Sequence, residues 1–304
     1  MMRVAVTGSE GFLGKIVCKK LVERGHKVTA CTMENCNVLD KAKLGKAFSN
    51  AEAVVHLAAI LDEEAQDLYE VNVKGTENAL EACAANSVQQ FILVSTAGVY
   101  GSLPGMKGEE TPPAPETQYE RSKLDAERKA LSYQEVFHVT ILRLALVLGP
   151  NEYWRQIAET VQKGFPLIGS GSNRWQLVAA EDAAEAIAFC IGKEECYGET
   201  FIAAEKDALT LEETVNLIRA SLGMKGNTMK VPLWLGNIIV ALNSVLKFNK
   251  LLKPEYVKRL QADRIYSTRK LEAAGWKAGL STRNYLPEVV KEMTANEKAG
   301  EEKQ

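Results

Sequence analysis

The chain has 304 residues, of which 46% are hydrophobic and 25% charged, enough to bury the core of one large domain, or of a domain with a smaller lobe, without staples. Lysine and arginine number 37 against 39 acids, a formal charge of −2, so the strong basic field that nucleic-acid binding needs is missing. Collagen-like, mucin-like and disordered classes are excluded on composition as well.

In chain order, short β-branched runs at 3–7, 27–32, 53–57, 91–95 and 139–147 alternate with helical patterns that begin near Gly11, Asp40, Glu64 and Glu116. That alternation predicts an α/β fold: a doubly wound parallel sheet with helices on both faces, right-handed crossovers, and ligands at the carboxyl ends of the strands. After Gly149-Pro150 the strands become short and scattered, which predicts a smaller C-terminal, substrate-facing lobe. Within it, residues 231–246 are uncharged, with Leu235, Ile238, Ile239, Leu242 and Val245 on one helical face and Asn237 and Ser244 on another. The pattern is that of an amphipathic helix packed over the core, over an apolar substrate, or on a membrane surface. Residues 296–304 read as a polar, frayed tail.

No charged leader with an apolar core precedes the first strand, and no run of ~18 apolar residues occurs, so the expectation is a cytoplasmic protein with no transmembrane segment. The six cysteines, Cys18, Cys31, Cys36, Cys83, Cys190 and Cys196, form no CxxC pair and are expected as reduced, mostly buried thiols. With only His26, His56 and His138 as histidines, no metal site is predicted, and His56, in an apolar strand, is expected in the core.

Directly after the first strand comes Thr7-Gly8-Ser9-Glu10-Gly11-Phe12-Leu13-Gly14, a GxxGxxG opening a helix. Glycines permit a tight turn and close backbone approach, and the free N–H groups of a helix start attract a pyrophosphate, so a dinucleotide site is predicted. The second strand ends Ala30-Cys31-Thr32 without the acid that often holds the adenosine ribose, Glu34 being the nearest carboxylate. Residues 28–40 also contain no lysine or arginine to meet a 2′-phosphate, which favours NAD over NADP.

Tyr119-Glu-Arg-Ser-Lys123 places a phenol and an ammonium one helical turn apart. Lowering a phenol from ~10 to neutral needs ~4 kcal/mol, and one cation at ~4 Å in an effective dielectric of ~20 supplies about that much. A positive nicotinamide ring is a second source. The same spacing recurs in Tyr266-Ser-Thr-Arg-Lys270, expected there as a helix-surface pair. Tyr119 differs in context, because it follows a strand ending in Ser95 and Thr96, and that order gathers hydroxyl, phenol and ammonium at one carboxyl-end crevice.

These segments, together with His56-Leu-Ala-Ala59, Asn72-Val-Lys-Gly75-Thr76, Ser95-Thr96-Ala-Gly-Val-Tyr100-Gly101 and Arg143 through Gly149-Pro150, resemble the extended short-chain dehydrogenase/reductase family, the NAD-dependent epimerase/dehydratase group. The resemblance runs from residue 1 to about residue 290 and implies a Rossmann domain over roughly 1–165 and a substrate lobe over 166–295, with some segments returning to the core. It implies Thr96 as the active-site hydroxyl, Tyr119 as acid/base, and Lys123 as the group that lowers the phenol pKa and holds the nicotinamide ribose. It places Gly8, Gly11 and Gly14 on the pyrophosphate, Asn37 near the adenine, and Leu57, Ala58 and Ala59 along the cofactor, with Phe12, Leu13, Thr32, Asn72 and Ser95 completing the cofactor set. It also implies a homodimer built on residues 64–84 and 118–131.

Nucleotide-sugar members often carry an aromatic pair and an asparagine after the arginine of the sixth strand. Here that stretch is Arg143-Leu144-Ala145-Leu146, and an apolar Leu146 cannot hydrogen-bond a sugar. Leu146, Arg174 and Trp175 are the candidate substrate residues, with Trp175 and Trp234 otherwise read as core aromatics. The expectation is an NAD(P)-dependent oxidoreductase acting on an alcohol or ketone of a fairly apolar small molecule, with a nucleotide-sugar epimerase or dehydratase as the alternative. A non-catalytic binding module is disfavoured by the intact Thr96, Tyr119 and Lys123.

Overall fold

The computed structural model describes residues 1–246 and 260–301. Its centre is a six-stranded parallel sheet of β1 (Arg3–Thr7), β2 (Lys27–Cys31), β3 (Ala53–His56), β4 (Gln90–Thr96), β5 (His138–Leu144) and β6 (Thr200–Ala203), in the order β6-β5-β4-β3-β1-β2. The strands run as apolar blocks because both faces are covered. Along β1, Val4 and Val6 enter a core shared with α1 (Phe12–Glu23) and α6 (Ala180–Cys190), whereas Ala5 faces α2 (Lys41–Phe48), α3 (Gly75–Ala85) and α4 (Gln118–Leu131). The order reverses on the two sides of β1, and the resulting crevice at the carboxyl edge is where such sheets bind ligands.

Three sequence expectations need correction here. The run 139–147 is two strands: the chain leaves the main sheet after Leu144, where β5 ends, and Leu146–Leu148 pairs instead with Leu177–Ala179. The helix expected from Glu64 begins with a wide π turn at Glu70–Lys74 that leads into α3. The Asn72 side chain there reaches back to the Ile60 backbone, accepting at 2.7 Å and donating at 2.9 Å, and leaves the preceding residues as a loop. Third, the C-terminal helix Thr282–Glu301 continues past Asn296, where a frayed tail was expected; residues 302–304 lie outside the described part.

A separate core of Leu148, Trp154, Trp175, Leu211, Ile218 and Leu286 joins α5 (Glu152–Gln162), α7 (Leu211–Ser221) and the C-terminal helix into the smaller lobe. Over it lies α8 (Leu233–Leu246), which turns a different face inward from the one its apolar spacing suggests. Gly236, Val240 and Asn243 are buried, while Ile238 is 49% and Leu242 is 53% exposed. The reason is Gly236: a Cβ there would lie 2.2 Å from Ile168 Cγ2, so the missing side chain sets the closest approach and hence the contact face. Trp234, at 65% exposed, is not a core aromatic. The Ser244 and Val245 side chains lie outside the described residues.

Beneath α4 runs a buried polar chain. Glu127 accepts from Ser95 Oγ at 2.5 Å and from Arg143 Nη2 at 2.7 Å, and Arg143 Nη1 donates to Tyr100 Oη at 2.7 Å. Arg143 also lies over the Tyr100 ring. A buried pair of this kind survives because each partner satisfies the other, and removing one would strand a charge.

Candidate active site

The strand ends bring together segments far apart in sequence. Gly8 leaves β1 at φ +67°, and a Cβ on it would come within 2.8 Å of Ala58 N. A Cβ on Gly14 would come within 2.1 Å of Gly8 O, so the turn admits no side chain at either position. Gly11 caps α1 with no side-chain acceptor, leaving the first N–H groups of the helix open, next to Phe12 and Leu13. Thr7 Oγ1 accepts from Leu57 N and Ala58 N at 3.2 and 3.3 Å, fastening the residues after β3, including Ala59, to this turn. Ser9 Oγ is buried without a partner. Thr32 and Asn37 follow β2, where Asn35 Oδ1 and Asn37 Oδ1 accept from backbone N–H groups. Glu10, in the glycine loop, accepts from Met33 N at 3.1 Å and so carries a carboxylate to the end of a strand that has none of its own.

His56 is wholly buried, between Thr7 Oγ1 at 2.9 Å and Thr76 Oγ1 at 3.1 Å. Burial, with the Lys123 charge, pushes its pKa down to about 3, so it is a neutral core group. All six cysteines are free thiols.

Helix α4 starts with a capping box: Thr117 Oγ1 accepts from Glu120 N, and the Glu120 carboxylate accepts from Thr117 N. This fixes where Tyr119 and Lys123 face. Asn72 Nδ2 donates to Ser122 Oγ at 2.9 Å, and Ser122 Oγ donates to Tyr119 O at 2.7 Å. With its amide also held by Ile60, Asn72 is engaged in positioning α4. The Ser95 hydroxyl is likewise taken by Glu127. Thr96 Oγ1 accepts from Gly98 N at 3.0 Å and keeps its own hydrogen for a ligand.

Lys123 is 3% exposed, and burial draws its pKa down to about 8 against the pull of Glu127. Its ammonium has no hydrogen-bond partner among the described residues. For Tyr119 the balance differs from the sequence expectation. Burial, then the Glu120 and Glu63 carboxylates, hold the phenol above its ordinary range. Glu63, from the loop after β3, sits at the start of α4 and accepts from Tyr119 N at 3.2 Å. Protein groups alone do not acidify this phenol. An open ammonium, an uncapped helix start and a side-chain-free turn fit a dinucleotide with a positive nicotinamide ring.

Thr96, Gly98 and Tyr119 open onto a cavity of about 370 Å³, within the range of small-molecule sites. Its walls are largely apolar, from Ile157, Val161, Leu167, Val215 and Ile218, and Leu146 and Trp175 line it. Arg174 does not: it is exposed, and the cation in the wall is Arg264. Tyr266 is also in the wall, buried on the short strand Ile265–Tyr266 with its ring 6.2 Å from Tyr100, which corrects its reading as half of a helix-surface pair. Lys270 meanwhile pairs with Glu199. Neither Arg264 nor Glu63 belongs to a recognisable motif, so the sequence carries no local signal for them.

The sequence model of the NAD dependent epimerase/dehydratase family matches residues 4–203. The chain belongs to this family. The chain is 28% identical over 251 residues to a 2-alkyl-3-oxoalkanoate reductase of Stenotrophomonas maltophilia (strain K279a), covering 73% of this chain and 76% of that protein. A decarboxylating sterol-4-alpha-carboxylate 3-dehydrogenase of Dictyostelium discoideum is 30% identical over 224 residues, 64% of this chain and 68% of that one. In fold, it superposes on a Thermotoga maritima UDP-glucose 4-epimerase solved with UDP-glucose, with a TM-score of 0.78, 22% identity and coverage of 97% and 99% of the two chains. As a family member, the chain is an NAD-dependent enzyme of the oxidoreductase and epimerase type.

Glu63→Gln keeps an acceptor for Tyr119 N and removes a charge that raises the phenol. The pH profile of turnover in the alcohol-oxidising direction should therefore move to lower pH by about half a unit. An unmoved profile would show that Glu63 does not act on Tyr119.

Proposed function

We propose that this enzyme transfers a hydride between NAD and the carbinol or carbonyl carbon of a largely apolar small molecule. The observation that carries this is the apolar cavity opening on Thr96 and Tyr119, with Leu146 where a sugar-binding group would be needed. The names of the Stenotrophomonas reductase and the Dictyostelium dehydrogenase agree with such substrates.

Gly8, Gly11 and Gly14 hold the pyrophosphate at the start of α1, and the buried Lys123 ammonium holds the nicotinamide ribose. Glu10, reaching from the glycine loop to the end of β2, opposes a 2′-phosphate and favours NAD over NADP. Bound NAD supplies the hydride acceptor and a positive ring. Thr96 donates its hydroxyl hydrogen to the substrate oxygen. Tyr119 takes the proton from that oxygen in oxidation and returns it in reduction. The apolar walls exclude water from the exchange.

A second reading, nucleotide-sugar epimerisation, draws support from a Bacillus subtilis relative named as an uncharacterized UDP-glucose epimerase, 26% identical over 263 residues. Net chemistry separates the two. With an apolar secondary alcohol, NADH should accumulate stoichiometrically, and Tyr119→Phe should cut that rate by about 10²-fold or more while NAD still binds. Sugar-nucleotide turnover without net change in cofactor absorbance would establish the epimerase instead, and an unchanged rate in the variant would remove Tyr119 from the chemistry.

The enzyme acts as a cytoplasmic homodimer in this reading. Free thiols suit a reducing compartment. The exposed faces of residues 64–84 and 118–131, where Tyr69 Oη meets Asp125 and Lys129 meets Glu77, would form the shared surface. Sedimentation should give a dimer at micromolar concentration; a monomer would refute it.

A further inference from the structure

The cavity beside Tyr119 is electrically lopsided. Glu63 and Glu120 line it and both bear on the Tyr119 phenol. Arg264 is the only cation among its described lining residues. No carboxylate pairs with that guanidinium among the described residues; it lies over the Trp175 ring, 5.0 Å from the centroid. The neighbouring Asp263 is turned elsewhere, its Oδ1 accepting from Arg174 N at 2.7 Å.

Trp175 supplies a second, independent sign. It is 3% exposed, it lines the same cavity, and its Nε1–H is buried without an acceptor among the described residues. An indole N–H can only donate, and buried donors left open mark places where an acceptor is missing. The two side chains are held together by backbone. Arg264 N donates to Arg174 O at 2.7 Å, and Gln176 N donates to Arg264 O at 2.9 Å, so Arg264 bridges in parallel to Trp175.

We propose that Arg264 and the Trp175 Nε1–H form an anion subsite that takes the carboxylate of an amphipathic acid. The acid's apolar chain lies along the cavity walls, and the carbon that exchanges hydride meets Tyr119. This rests on the cavity being the substrate site of the proposed oxidoreductase. Glu63 and Glu120 repel the carboxylate from the reacting end, so the charges set the direction in which the acid enters. One guanidinium matches one carboxylate as a two-pronged donor. A nucleoside diphosphate brings more charge than one arginine offsets, and its ribose and base would face Ile157, Val161, Val215 and Ile218.

The test uses binding without turnover. Affinities of decanoate, methyl decanoate and uridine diphosphate are measured by calorimetry on the NAD-loaded enzyme, in the wild type, Arg264→Gln and Tyr119→Phe. The wild type should bind decanoate at least about tenfold more tightly than its ester. Arg264→Gln should abolish that preference while leaving ester and NAD affinities unchanged. Equal wild-type affinities for acid and ester, a comparison that needs no variant to fold, would overturn the subsite, as would a preference that survives Arg264→Gln. Uridine diphosphate binding more tightly than decanoate and depending on Arg264 would overturn the carboxylate assignment. Tyr119→Phe should keep the acid preference, so a failure of the catalytic reading is distinguishable from a failure of this one.

Discussion

The site depends on keeping the Lys123 ammonium out of water. A buried lysine is unfavourable unless something compensates, and here burial has already drawn its pKa to about 8. What keeps it charged from the protein side is Glu127, which sits on the same face of α4 and is itself anchored by Ser95 and Arg143. The chain from Tyr100 through Arg143 and Glu127 therefore supports the charge on Lys123 from beneath α4. It sets the electrostatic environment in which a buried ammonium stays open to a ligand.

The phenol beside it is tuned the other way. Burial, then the Glu120 and Glu63 carboxylates, hold Tyr119 protonated in the free protein, so in the proposed reaction its acidity is conditional on a positive ring in the groove. That condition couples the proposed chemistry to cofactor occupancy: without NAD the phenol stays protonated and cannot take a proton from a substrate. The same two carboxylates line the cavity that Arg264 also lines. Fold and acidity thus share one set of charges on and around α4.

Much of this was legible in the sequence where local rules govern. The glycine loop announces β1 and α1 because the turn cannot accommodate a Cβ at Gly8 or Gly14. The Tyr119 to Lys123 spacing needs only a helix, and the capping box at Thr117 provides it. What escaped was set by distant partners. Arg264 reaches the cavity through backbone pairing with Arg174, and nothing near it in sequence signals that. Tyr266 shares the spacing of Tyr119 but lies on a strand, because that segment pairs with Met106–Lys107. In α8, counting apolar residues chose the wrong face, since the contact is set by an absent side chain at Gly236 and not by the bulk of Ile238 or Leu242. The raised phenol could not be foreseen from Lys123 alone, because it comes first from burial, then from Glu120 and from Glu63, which joins it from a loop 56 residues away.

The buried ammonium can be observed directly. In the cofactor-free protein labelled at lysine Cε, the carbon resonance that disappears in Lys123→Met should titrate near pH 8, well below the ~10.4 of an ordinary lysine. A midpoint at the ordinary value would mean that Lys123 is solvated, and the electrostatic account of this site would be wrong.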